Sequence, residues 1–109
     1  MSRIVVFVPD LMDASKVRAA VAAAGAEVQV VRSPGELGAA SVGADAVIVD
    51  LGRAGVLEAL PDVQAPSVGF GRHDDTAALD AALAAGCDQV LPRSTFFRGV
   101  DGIVAAHVP

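Results

Sequence analysis

Five short apolar runs punctuate the chain, and each leads into a stretch of helical or loop character. Ile4-Val5-Val6-Phe7-Val8 is continuous, mostly β-branched, and stopped by Pro9. Val28 to Val31 follows Gly25, and Ala46 to Val49 drives straight into Asp50. Ser67-Val68-Gly69-Phe70 is weaker, and Gln89-Val90-Leu91 is short and stopped by Pro92. Unbroken apolar runs, in place of an alternating pattern, fit strands buried on both faces, as in a parallel sheet.

The stretches between them carry helix signals at their ends. Asp13 is placed to cap a helix over Ala14–Ala24, with Val17, Ala20, Val21 and Ala24 on one face and Gly25 where a left-handed terminal residue belongs. Ser33-Pro34-Gly35-Glu36 has Ser at the cap, Pro at the first position and Glu at the third, a capping-box pattern opening a short helix towards Ala40. Asp75 caps a helix through Ala85 that Gly86 ends. The last helix is expected over about Thr95–Ala106, capped by Ser94-Thr95 and weakened by Gly99 and Gly102. Arg53–Leu60 has room for one or two helical turns before Pro61. Five βα units in series predict a single three-layer α/β domain over residues 1–109 with right-handed crossovers.

Composition narrows the function classes. Hydrophobic residues make up 53% of the chain but aromatics only 4%, so the core is built of small, closely approaching side chains. Thirteen acids stand against eight basic residues, for a net charge of −5. That balance argues against nucleic acid and anionic membrane as partners, since both are bound through clustered positive charge. Cys87 is the single cysteine, so no internal disulfide forms. No apolar run is long enough for a secretion signal or membrane span, and the expected location is the cytoplasm.

In a parallel α/β sheet, ligands bind beyond the carboxyl ends of the strands. Standing there are Pro9, Asp10 and Asp13 after the first run, Asp50 and Gly52 after the third, Gly71 to Asp75 after the fourth, and Arg93 after the fifth. Acids in such positions act as ligands for a hard cation, as nucleophiles for phosphoryl transfer, or as caps of the loops they begin. Gly69-Phe70-Gly71 is half of a dinucleotide fingerprint, with Asp74 in place of the third glycine. His73 has no second histidine at ligand spacing, and Cys87 reads as a small buried hydrophobe. Phe96 and Phe97 are adjacent on one helix and do not face the same way, so either one sits at an edge or in an interface, or both tuck under neighbouring loops.

The order and punctuation resemble the receiver domain of bacterial response regulators over nearly the whole length. The stretch "GRHDDTAALDAALAAGCDQVLPR", Gly71 to Arg93, is similar to the receiver's helix, Ala-Gly, short strand and Leu-Pro-Lys signature. "GADAVIVDLG" is similar to the third receiver strand, and Asp50 matches the phosphoacceptor position. The resemblance implies a flavodoxin-like sandwich with strand order 2-1-3-4-5. It also marks departures. The receiver's Mg²⁺-holding acidic pair matches either a pair including Asp10, or Val8 and Pro9 with Asp10 just past it. The hydroxyl residue after the fourth strand matches Gly71, the lysine matches Arg93, and the proline after it is Ser94.

Three readings follow. The first is a non-enzymatic, stand-alone, atypical receiver-like regulator acting on an unidentified protein partner or as a homodimer through its last two helices, with Pro9, Asp10, Gly71 and Arg93 as a degenerate cleft. On this reading Asp50 is held in an ion pair with Arg93. The second is a phosphoreceiver with Asp50 as acceptor and Asp10 and Asp50 holding Mg²⁺. The third is a binder of a small ligand at the carboxyl edge of the sheet. Only the second requires a cofactor.

Overall fold

The computed structural model describes residues 1–109. It contains β1 (Arg3–Phe7), α1 (Leu11–Ala23), β2 (Glu27–Val30), α2 (Leu37–Ser41), β3 (Ala46–Asp50), α3 (Val56–Ala59), β4 (Ser67–Gly71), α4 (Thr76–Ala84), β5 (Gln89–Pro92), α5 (Arg93–Arg98) and α6 (Val100–Ala105). Single 3₁₀ turns precede α2 and follow α3. The five strands are all parallel, as the apolar runs predicted, and run in the order β2-β1-β3-β4-β5 that the receiver resemblance implied.

Strand geometry sends alternate side chains to opposite faces, and two cores result. Ile4, Val6, Ile48, Val68 and Phe70 face α1, α5 and α6, meeting Val17, Val21, Phe96 and Val104. Val5, Phe7, Val47 and Val49 face α2, α3 and α4, meeting Leu37, Val56, Leu60 and Ala82. The central strands β1 and β3 are buried on both sides, which is why their sequences show no alternation. No helix is long and apolar enough to cross a membrane.

Several helix ends differ from expectation. The first helix begins at Leu11, three residues early, because Asp10 is its cap: Asp10 Oδ1 accepts the Asp13 N–H at 2.9 Å. Asp13 is therefore inside the helix, and it is buried. The last helix starts at Arg93 with Pro92 as its uncapped first neighbour, so Ser94 and Thr95 lie within it and do not cap it. It then breaks at Gly99, whose φ of −112° and ψ of 17° lie outside the helical region, and resumes as α6. Glycine's low helix propensity makes this the natural point of failure.

Other ends follow expectation. Asp75 caps α4 by accepting the Ala78 N–H at 3.1 Å. Glu36 accepts from the Ser33 hydroxyl at 3.0 Å and from the N–H groups of Ser33 and Arg32 at 2.9 and 3.0 Å. Its carboxyl is held below the ordinary value, first by the Ser33 hydroxyl and then by the Arg32 N–H. The short connection from β3 to β4 leaves α3 with only four residues.

Phe96 is buried in the core, and Phe97 packs against it partly buried. Phe96 stacks on Phe70 at 4.8 Å between ring centroids, and Phe97 packs edge-on to both at 5.0 and 4.9 Å. Such pairs add about 0.5–1.5 kcal/mol beyond the area they bury. Lys16 and Arg93 cover the outer side of Phe97, at 5.5 and 5.0 Å from its centroid. Phe97 is thus capped by cations, which explains how two adjacent aromatics are both accommodated.

Candidate functional site

The carboxyl edge of the sheet collects Asp10, Asp13, Asp50, Arg53 and Arg93, from the ends of β1, β3 and β5 and the turns that follow. Asp50 is the last residue of β3, and its side chain is 15% exposed. Its Oδ1 accepts the Gly52 N–H at 2.9 Å, and its Oδ2 accepts from Arg53 Nε at 3.3 Å. A Cβ on residue 52 would stand 3.3 Å from Asp50 Oδ1, so glycine lets the loop fold back onto the carboxylate.

Arg93 does not pair with Asp50 as expected. Its guanidinium grips Asp13 with both forks, Nη1 donating to Oδ2 at 2.6 Å and Nη2 donating to Oδ1. Three physical reasons combine. Arg93 opens α5. Its guanidinium carbon lies over the Phe97 and Phe70 rings, 5.0 and 5.9 Å from their centroids, which fixes its direction. Asp13 sits four residues before Val17 on the buried stripe of α1, where its carboxylate needs a partner. A planar fork suits a carboxylate better than a lysine's point charge does. The Asp13 hydrogen bonds raise the Arg93 pKa, and the charges of Asp50 and Asp10 add to the effect. The cleft is therefore one electrostatic unit, although only Asp13 is bonded to Arg93.

The donor set does not suit the Mg²⁺ ion that the receiver resemblance implies. A hard divalent cation takes six or more oxygens, including open carboxylates. Asp10 has one oxygen committed to the helix cap, and Pro9 offers none. Both Asp13 oxygens are held by Arg93, and both Asp50 oxygens accept hydrogen bonds. No three His, Cys, Asp or Glu side chains converge on a common point. Asp10 and Asp50 lack the third acidic ligand that would complete a site with them.

Gly71 offers no hydroxyl, and it also permits a close approach. Leu51, directly after Asp50, lays its side chain along β4, so that a Cβ on Gly69 would meet three Leu51 atoms at 2.7–2.9 Å. A Cβ on Gly71 would meet Leu79 at 3.1 Å and Leu51 at 3.6 Å. The two glycines form a trough for Leu51, and this pins the β3–α3 loop carrying Asp50. They lie within a strand, which also ends any dinucleotide reading of Gly69-Phe70-Gly71.

Remaining candidates have structural roles. Cys87 is buried, and burial pushes its thiol pKa up, away from the reactive thiolate. His73 lies in an exposed loop beside the Arg72–Asp74 pair. Asp13 was misplaced in the sequence reading, yet a signal was present: positions 13, 17, 20 and 24 form one helical stripe, and an acid on it calls for a distant cation. Arg53 carried no such signal.

No protein-family model matches the sequence, and neither does any curated protein. Solved structures do match in shape. A response regulator from Hahella chejuensis superposes with a TM-score of 0.82 at 16% identity, covering 99% of this chain and 96% of that one. A response regulator receiver domain protein from Clostridium thermocellum gives 0.78 at 14%, covering 99% and 94%. HP1043, an orphan response regulator of H. pylori, gives 0.78 at 12%, covering 99% and 97%. At these identities the likeness establishes architecture: the chain has the receiver-domain fold.

Proposed function

We propose that the protein is a receiver-like regulatory module that is not an enzyme, works through protein contact, and does not use Mg²⁺-dependent phosphoryl transfer to Asp50. One observation carries the reading. Both cations of the cleft are tethered: Arg93 is bound to Asp13, away from Asp50, and Arg53 is paired with Asp50 itself. Phosphoryl transfer to a carboxylate needs charge neutralisation on the incoming group. Here Asp10 is a cap, Pro9 has no ligand atom on its side chain, Gly71 has no hydroxyl and Arg53 already pairs with Asp50, which leaves no metal-binding set to supply it. Incubation with acetyl phosphate and Mg²⁺ is expected to leave the intact mass unchanged. A stoichiometric gain of one phosphoryl group, abolished in Asp50→Ala, would replace this reading with a working phosphoreceiver. The partial exposure of Asp50 at a strand end is what keeps that second reading testable.

The contact surface we assign is α4 with the adjoining β5 and the outer side of α5, and its occupant is a second copy of the chain. Among residues of α4 only Ala82 is buried, whereas Leu83 is 53% exposed. Alanines at 77, 81 and 84 form a separate stripe of small residues on the helix, which allows close helix approach. Sedimentation velocity is expected to show a concentration-dependent dimer that Leu83→Asp removes. A monomer at all concentrations, or a dimer indifferent to that change, overturns the assignment.

A further inference from the structure

We infer that the cleft between α1 and the edge strand β2 is a binding site for a small organic carboxylate with an apolar body. It has a volume of about 420 Å³, within the range of small-molecule sites. It opens beside the carboxyl ends of β1 and β2. Helix α1 packs over β1 and leaves the outer part of β2 uncovered, so Val30 remains 43% exposed on the same face. Val8 and Ala14 form a buried floor, and Leu11 and Val30 stand as exposed apolar lips. Leu11, Ala14 and Arg18 fall at helical spacing, which puts all three on the cleft side of α1.

Charge selects the ligand. Arg53, Arg72 and Arg93 each hold a carboxylate, and Arg3 is spent on Gln29 and the carbonyls of Ala40 and Val42. Lys16, Arg18, Arg32 and Arg98 hold none, and of these four Arg18 and Arg32 line this one cleft. Glu36 feels the charge of Arg32, but its hydrogen bonds go to Ser33 and to backbone N–H groups. Those same bonds remove the N–H groups of Arg32 and Ser33 as donors, leaving the two guanidiniums. Guanidinium forks match a carboxylate's two oxygens. Phosphate oxygens fit the same forks, so the titration sets the two anions against each other. The apolar walls require a hydrophobic body to displace their water. This site is independent of the regulatory reading, since binding needs neither phosphoryl transfer nor dimerisation.

The test is a titration of the amide ¹H–¹⁵N spectrum with naphthalene-2-carboxylate, its neutral carboxamide and 2-naphthyl phosphate. Expected are saturable shifts confined to the ends of β1 and β2 and the first half of α1. The carboxylate should bind about tenfold tighter than the carboxamide, and Arg18→Gln/Arg32→Gln should erase that difference. Both arginines are exposed, so the variant's spectrum should otherwise match the wild type. Shifts that do not saturate, shifts centred elsewhere, or carboxamide binding as tight as the carboxylate would overturn the site. Tighter binding of the phosphate would overturn the ligand class.

Discussion

Arg93→Ala is expected to cost about 2–4 kcal/mol of folding stability. Removing one partner of a buried ion pair typically costs 3–5 kcal/mol, because the other charge stays behind without compensation. The side chain of Asp13 is 4% exposed, but that of Arg93 is 47% exposed, so water entering from the Arg93 side moderates the loss. The asymmetry predicts an order among variants. Asp13→Asn should cost less, about 1 kcal/mol, since the stranded guanidinium already reaches solvent and the amide oxygen still accepts from it. Arg93→Lys keeps the charge but loses the fork, and falls between. Asp13→Leu/Arg93→Met removes both charges and should recover most of the loss, as apolar replacements of buried pairs often do. Urea unfolding of the set measures each step. An Arg93→Ala change of less than about 0.5 kcal/mol would mean that the pair does not hold α5 to α1.

Leu51→Ala is expected to cost about 2–5 kcal/mol, the range for large-to-small changes at a buried site. Gly69→Ala should also destabilise, by about 1–3 kcal/mol, although alanine normally improves a strand position. The added methyl would stand 2.7 Å from Leu51, deep in a packed layer, and something must shift. The two changes are strongly coupled. In Leu51→Ala/Gly69→Ala the new methyl partly fills the space that the leucine leaves, so the double variant should cost less than the sum of the singles by about 1 kcal/mol or more. Additivity within about 0.3 kcal/mol would show that Leu51 does not lie in the glycine trough. Because Leu51 is bonded to Asp50, these variants should also broaden the amide signals of the β3–α3 loop.

The sheet was readable because its evidence is local. Val5, Val6, Val47 and Val49 announce a doubly buried strand by composition, and Gly25 and Gly86 mark helix ends by the positive φ they adopt. The pairing of Arg93 was not readable. It depends on where a guanidinium is aimed by Phe97, on a helix two residues longer at its start than its capping signals suggested. The first helix failed for a related reason. Asp10 and Asp13 are both plausible caps, and only the burial of position 13 decides between them. The Leu51 trough requires knowing that β3 and β4 are neighbours, with Asp50 opposite Phe70 in register. Each miss is a side chain meeting another far along the chain.

That separation has a consequence for folding. The α2–α4 core draws its buried members from residues 5–87, whereas the α1 core needs Phe96 and Val104 as well. Asp13 lies 80 residues before its arginine. Chain closure over such a length is entropically costly and is not rewarded until the last helices dock. A refolding chain can therefore settle one half of its interior while α1 still lacks its cover. The apolar face of that first helix is the surface a chaperone would meet.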